Sequence, residues 1–404
     1  MAEVLVLVES NTTGTGRLFA ERARDLGLVP HMLCADAARY PYLADLGIPA
    51  HGCDTGSVPA VLAGCARLAR EHDVVGVTSS SDLYVATAAA AARALDLPGE
   101  DPEALAAARS KGVQRQRFAA CGVASPGYRG VSTVDDAVRA AGELGLPVVV
   151  KPDSRSGSIG VRRCDTGREV AAHARGLLDT TVDERGRPLP ARILVESYVD
   201  GPEFSVEVLG GAVRAVVGKH LDQSRGFLET GHDVPAAVDA GTRELLAGSA
   251  RAALAALGLR WGAAHVELRV TDGRAYVVEV NPRLAGGMIP QAIRVATGED
   301  LIAELVARTA GRGTLAHPAR RACASIRFVV AHRDGEVRAV PDASAALALP
   351  GVVDAAVTAR RGQRVVRDGS FLDRLGYVIA TGETQRQAGR RAERAVAALA
   401  VDVG

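Results

Sequence analysis

The first patterned stretch of the chain, residues 4–8, is a continuous apolar run, the signature of a strand buried on both faces. A Gly/Thr loop over 9–16 follows, and helical spacing over 17–26 stops at Gly27. Residues 31–34 read as a second strand, 58–70 as a helix, 74–78 as a third strand and 83–95 as another helix. Strands alternating with helices predict right-handed βαβ units on a parallel sheet. The breaker cluster Leu97-Pro98-Gly99-Glu100-Asp101-Pro102 ends this segment.

Helical spacing resumes at 103–109 and 114–121, with Lys111 between them, and again around 134–144. Val148-Val149-Val150 then reads as a buried strand ending at Lys151, followed by a Ser/Gly loop to Gly160 and a returning strand over 160–163. After a polar turn at 184–190, residues 193–196 form a strand that runs into Ser197-Tyr198-Val199-Asp200-Gly201, and 204–208 form another. The Gly-punctuated segment 220–235 has few apolar residues and reads as a mobile loop, long enough to be functional. A helix over 243–257 precedes a hairpin, 264–270 and 276–280, joined through Asp272-Gly273. The loop 284–287 opens a helical stretch to about residue 309. Strands at 323–330 and 336–340 and a closing helix over 384–400 complete the chain. These patterns divide it into segments 1–100, 101–190, 191–312 and 313–404.

Composition narrows the function classes. In 404 residues, 48% are hydrophobic and 24% charged, ordinary for a globular protein with well-buried cores. A net charge of +1 offers no nucleic-acid footprint or polybasic membrane surface, and 3% aromatics make a poor base-stacking platform. Cys34, Cys53, Cys65, Cys121, Cys164 and Cys323 show no metal or redox spacing and read as reduced thiols of a cytoplasmic protein. No basic region precedes the first apolar run, so no signal peptide is expected, and no run reaches the roughly 18 residues of a membrane span.

Four places carry candidate chemistry. Gly14-Thr15-Gly16 with Asp36 resembles a dinucleotide fingerprint, but Phe19 stands where its third glycine belongs, and a tight turn before the helix explains the glycines equally. Ser79-Ser80-Ser81-Asp82 falls where a parallel sheet presents ligand sites at its carboxyl edge, and it also reads as an N-cap. The loop after Lys151 is rich enough in Ser and Gly to converge backbone N–H groups on an anion, though ordinary hairpin turns share that composition. Glu279 and Asn281, two apart on a strand, point together, and Glu267 joins them if the hairpin register allows. Oxygen-only ligands suit Mg²⁺; the alternative is a set of solvent-facing strand residues, which the flanking Val277, Val278 and Val280 make a poor fit.

The order of these parts resembles the ATP-grasp superfamily over about residues 105–310: Lys111 in Ser-Lys-Gly-Val-Gln-Arg-Gln-Arg-Phe, Lys151 before the Ser/Gly loop, Val-Glu-Ser-Tyr-Val-Asp-Gly-Pro-Glu, and Glu-Val-Asn-Pro-Arg. The resemblance implies a mixed α/β and α+β multidomain chain, with a Rossmann-like parallel-sheet domain before the ATP-grasp fold and an α+β lobe after it. It implies ATP and two Mg²⁺ ions, with Mn²⁺ as a substitute. Lys111 and Lys151 would contact the phosphates, covered by the loop containing Ser154, Ser156, Gly157, Ser158 and Gly160. Glu196, Tyr198 and Val199 would hold the adenine and Glu203 the ribose. Glu267, Glu279 and Asn281 would bind metal, and Arg283 would stabilise the phosphoryl group. Asn281-Pro282-Arg283-Leu284-Ala285-Gly286-Gly287-Met288, with Thr230-Gly231-His232-Asp233, is similar to the L-amino-acid ligases of the carboxylate–amine branch. Such enzymes join a small carboxylate to an amine, releasing ADP and phosphate, and are often homodimers. Arg283, Gly286, Gly287 and His232 would then meet the substrate, with Lys151, Arg283 and His232 as catalytic candidates, although a loop histidine is also an ordinary solvated residue. A bicarbonate- or formate-dependent transferase and a non-catalytic ATP-binding module are the alternatives. The Leu-Ala-Gly-Gly loop disfavours a carboxylase, and the intact set of charged residues disfavours the module. Neither a nucleic-acid nor a membrane partner is expected.

Overall fold

The computed structural model describes residues 1–12, 14–183, 185–222 and 226–404. The first apolar run lies in the strand Glu3–Val8, inside a parallel sheet ordered Ala50–Gly52, Val29–Cys34, Glu3–Val8, Asp73–Thr78. Its continuity has a simple cause. Leu5 and Leu7 share a core with Phe19, Ala20 and Ala23 of the helix Thr15–Asp25. Val4, Val6 and Val8 pack on the other side with Val61 and Cys65 of the helix Val58–Leu68 and with Ala88 and Ala91 of the helix Val85–Ala94. With both faces covered, no polar alternation survives. Gly14, at φ +108°, caps the first helix, and Asp36 caps a single 3-10 turn by accepting from Ala38 N at 3.0 Å. The partial dinucleotide fingerprint is therefore used as turn chemistry.

A second, antiparallel sheet runs Tyr128–Val131, Ile193–Ser197, Val148–Pro152, Arg162–Cys164. Val148 and Val150 are buried with Ala137, Ala140 and Ala141 of the helix Val134–Leu144 and with Val170 and Ala174 of the helix Gly167–Leu178. The period of two then sends Val149 and Lys151 to the opposite face. Thr133 and Thr166 cap the two helices, accepting from Asp136 N and Glu169 N at 3.1 and 3.2 Å.

The largest sheet is antiparallel throughout, ordered Arg274–Asn281, Ala263–Thr271, Glu203–Leu209, Ala212–Asp222, Leu228–Val234, Cys323–Val330, Arg374–Gly382, Val352–Val357. Phe204, Val206, Val208, Ala264, Val266 and Leu268 pack against Leu246, Ala250, Leu254 and Leu257 of the helix Ala240–Leu257. Their neighbours Glu203, Ser205, Glu207, His265, Glu267 and Arg269 line the other face. Pairing of Leu228–Val234 with Cys323–Val330 carries this sheet across position 312. The helix Gln385–Ala397 packs behind it, and a small sheet of Arg364–Val365, Gly335–Ala339 and Asp402–Val403 lies beside it. Among the described residues, no helix is long and apolar enough to cross a membrane.

Three expectations need correction. Segment 220–235 is not a loop but mostly a hairpin: the strands Ala212–Asp222 and Leu228–Val234 pair in register Lys219 with His232, and only residues 223–225 lie outside the described residues. It looked irregular because its inward residues Glu229 and His232, like Lys219 opposite His232, are polar, which erases the apolar alternation. The stretch 284–309 is two helices, Ile289–Thr297 and Leu301–Thr309, broken at Gly298 (φ +88°). Lys111 opens the helix Lys111–Ala120 rather than standing between helices, because Ser110 accepts from Val113 N at 3.2 Å and starts the turn there. The polar turn at 184–190 holds the bridge Val182 to Pro188; Glu184 lies outside the described residues.

Candidate active site

The polar faces of the two antiparallel sheets and the carboxyl edge of the parallel sheet enclose a cavity of about 560 Å³. At the lysine strand, Lys151 Nζ lies 2.7 Å from Glu196 Oε2, and Glu196 Oε1 lies 2.9 Å from Arg115 Nε. Burial lowers the Lys151 ammonium from its usual value, which Glu196 only partly offsets. Burial alone would raise the Glu196 carboxyl, but Arg115 and Lys151 outweigh it and hold it low. Lys111 approaches from its helix start, 3.0 Å from Glu279 Oε1 and donating to Arg155 O at 2.6 Å.

The hairpin register places Glu267 directly opposite Glu279, and His265 opposite Asn281. The two carboxylates and the amide therefore share a face. Glu267 Oε2 is 3.3 Å from Lys219 Nζ and Oε1 is 3.1 Å from His265 Nε2; these cations override burial and keep Glu267 well below the carboxylate range. Burial would lower His265, but Glu207 at 2.7 Å and Glu267 push it up to about 10, so it is an imidazolium at neutral pH. Lys219 also lies 2.6 Å from Glu203 and 2.8 Å from Glu229, an ammonium held among three carboxylates. Glu203 meets Arg269 as well, Nε to Oε2 at 2.9 Å, and the Arg269 guanidinium sits by the rings of Tyr198 and Phe227 at 5.4 and 5.3 Å while donating to Val199 O.

Arg283 grips Asp82 through two nitrogens, Nη2 at 2.8 Å from Oδ2 and Nε against Oδ1. Asp82 is thus a ligand of the site and not a cap; its helix begins after Tyr84 without a side-chain cap. Gly286 and Gly287 lead into Met288 and the helix Ile289–Thr297. A methyl group on Gly287 would stand 3.1 Å from His232 Nε2 and 3.3 Å from Phe328 Cζ, so the glycine lets these groups approach. His232 is not a solvated loop residue. It is fully buried, edge-on to Phe328, 3.6 Å from Glu229, and neither ring nitrogen has a hydrogen-bond partner among the described residues. Burial lowers it to about 3, so it is neutral at physiological pH.

Of the residues expected at a nucleotide site, Lys151, Ser156, Gly157, Ser158, Glu196, Tyr198, Val199, Glu203, Glu267, Glu279, Asn281, Arg283, Gly286, Gly287 and His232 all line this cavity. Lys111 reaches it through Glu279; Ser154 and Gly160 do not line it, and Gly160 O is bonded to His173. Lys219, Arg115, Asp82, Glu229, Arg269 and Arg374 are the charged residues that sequence reasoning missed or left undecided. One signal was available: the chain contains only three lysines, Lys111, Lys151 and Lys219, and the side chains of all three are buried.

The donor set fits Mg²⁺. Among the described residues no three His, Cys, Asp or Glu side chains cluster for a metal, so two carboxylates and an amide need their remaining ligands from phosphate oxygens and water, as Mg²⁺ prefers. Lys111, Lys219 and His265 balance those carboxylates in this structure.

Comparisons with known proteins agree with this geometry. The family model described as the ATP-grasp domain matches residues 144–291, and that of the L-amino acid ligase C-terminal domain 2 matches 327–404. The chain is 36% identical over 399 residues, 99% of its own length and 83% of the relative's, to uncharacterized protein y4rH of Sinorhizobium fredii (strain NBRC 101917 / NGR234). It is 27% identical over 248 residues to an alanine–anticapsin ligase of Bacillus amyloliquefaciens, a match that spans 57% of this chain and about half (52%) of that enzyme. Its fold superposes on the crystal structure of an L-amino acid ligase from Bacillus licheniformis with a TM-score of 0.83 at 20% identity, covering 100% and 99% of the two chains. The chain belongs to the ATP-grasp superfamily and, through its C-terminal module, to the L-amino-acid-ligase branch of it.

Proposed function

We propose that this protein is an ATP-dependent ligase that joins a small carboxylate to an amine, at least one of them an amino acid, through an acyl-phosphate, releasing ADP and phosphate. The observation that carries the reading is that Lys151, the opposed pair Glu267 and Glu279, and the Asp82-braced Arg283 line one cavity, with Lys111 and Lys219 paired to those two carboxylates. Phosphoryl transfer needs charge neutralisation and alignment more than a protein nucleophile, and this set offers both.

In this reading the backbone at Tyr198 and Val199 holds adenine and Glu203 the ribose. Lys111, Lys151 and Lys219 surround the phosphates, and backbone N–H groups of 154–160 cover them. Glu196 acts through Lys151, which it holds at 2.7 Å. Glu267, Glu279 and Asn281 would hold two Mg²⁺ ions, with Mn²⁺ as a substitute, and these would supply charge neutralisation at the transferring phosphoryl group. Arg283, oriented by Asp82 and by its Nη1 donating to Leu284 O at 2.8 Å, stabilises the phosphorylated carboxylate through its charge, and backbone N–H groups at Gly286 and Gly287 receive the carboxylate itself. His232, neutral and unpaired, offers one N–H and one lone pair to the bound substrates rather than a charge. Arg185, which lines the cavity and donates to Tyr40 Oη at 3.1 Å and Ser10 O at 3.4 Å, would limit water around a hydrolysable intermediate.

The test is incubation with ATP, Mg²⁺ and a matrix of carboxylates and amines. Stoichiometric phosphate with an amide product is expected. AMP and pyrophosphate as products, a strict need for bicarbonate or formate, or full turnover by Glu279→Ala or Arg283→Ala would overturn it.

A further inference from the structure

We propose that the acid activated at this site carries an uncharged apolar side chain, and that Phe371 and Leu372 of the C-terminal lobe form the wall that selects it. The inference rests on the ligase reading above. If Gly286 and Gly287 receive the carboxylate, the side chain of the acid projects toward what lies beyond Gly287, where His232, Phe328 and Arg374 stand nearest and the cavity wall also includes the apolar Met288, Phe371 and Leu372 beside Tyr377, Thr358 and Gln363.

Among the described residues at that end, the Arg374 guanidinium is held by Glu229 rather than left for a charged side chain. Arg374 lies over the Phe328 ring at 4.0 Å, pairs with the Glu229 carboxylate and donates to Glu229 O at 3.1 Å. The wall is also built rather than incidental. Asp373, fully buried, accepts from Asp368 N and Gly369 N at 3.1 and 3.2 Å, and the buried Ser370 accepts from Leu372 N at 3.2 Å. Phe371 N donates to Gly157 O at 3.3 Å, which ties the turn to the loop expected over the phosphates and so keeps it within reach of the reacting carboxylate. On this fixed turn Leu372 remains 54% exposed, and among the described residues it is the one exposed large hydrophobic side chain that lines the cavity. A leucine presented to a cavity by a rigid turn has its water displaced favourably when an apolar group covers it.

The experiment compares free L-amino acids as acids, with an excess of alanine amide as the only amine that cannot itself be activated, and reads phosphate release and amide product. Leucine, methionine and phenylalanine should exceed aspartate, lysine and serine in kcat/KM. Leu372→Ala should reduce the leucine-to-alanine ratio of kcat/KM by about tenfold, the size of a lost hydrophobic pocket contact. Preference for charged or hydroxylated acids, or an unchanged ratio in Leu372→Ala, overturns this proposal while the ligase reading stands. No ATP-dependent amide from any pair overturns the ligase reading and this proposal with it.

Discussion

All but three of the 48 basic residues are arginine, and the exceptions sit where a compact ammonium is needed. Lys219 puts one point charge within 3.3 Å of each of Glu203, Glu229 and Glu267, an approach from three sides that suits an ammonium better than a planar fork. Lys219→Gln should therefore leave three crowded carboxylates and lower stability by about 3–5 kcal/mol, the cost of breaking a buried ion pair. Thermal melts should show that drop and its partial recovery with millimolar Mg²⁺; a loss indifferent to Mg²⁺ would argue against cation balance as the role of Lys219. Away from the cavity, His31 Nδ1 lies 2.9 Å from His51 Nε2 and its ring is 5.2 Å from that of His72. Burial, then His51 and His72, lowers His31 to about 4. The unfolded chain thus binds a proton between about pH 4 and 6.5 that the folded chain refuses, so stability falls as pH drops through that window. Melting at pH 5 should precede melting at pH 7, and His31→Leu should flatten that difference; an equal slope in the variant would locate the effect elsewhere.

At the scale of elements, turns and breaks carry the strongest local constraints. Gly298 ends one helix at φ +88°, and a methyl group there would lie 1.7 Å from Pro318 O, a backbone atom that cannot step aside. Gly298→Ala should cost at least about 2 kcal/mol, combining strain with a clash, and denaturant titration will measure it. The apolar period on both sides of the break is the same, so the sequence around it reads as one helix. The hairpin of Ala212–Asp222 and Leu228–Val234 failed for the opposite reason. Its inward face is made of Lys219, Glu229 and His232, and a strand whose buried side is charged loses the alternation by which strands are recognised. The strands Ala263–Thr271 and Arg274–Asn281 were legible because each charged inward residue alternates with valine, leucine or alanine behind it.

At the scale of the whole molecule, the excursion around Val182–Pro188 clasps the N-terminal domain. Arg185 donates to Tyr40 Oη, whose hydroxyl in turn donates to Glu9, and Arg187 donates to Leu83 O at 3.2 Å with its guanidinium 5.4 Å from the Tyr84 ring. If this clasp shields an acyl-phosphate, the double variant Arg185→Ala and Arg187→Ala should release more than one phosphate per amide formed, as water competes with the amine. A ratio that stays at one would mean that the clasp does not guard the intermediate. The sequence by itself determined the strand–helix alternation at the N-terminus, the order of Lys111, Lys151, Glu196, Glu203 and the Glu267–Asn281 hairpin, and with that order the superfamily, because these depend on local period and on spacing along the chain. Only the tertiary structure decided that Asp82 from the parallel sheet braces Arg283 across 201 positions, that Lys219 joins the other two lysines, and that His232 is a buried neutral ring. Those facts depend on which faces meet after three sheets pack around one cavity. Charge pairing and burial are properties of that meeting and leave no period in the chain.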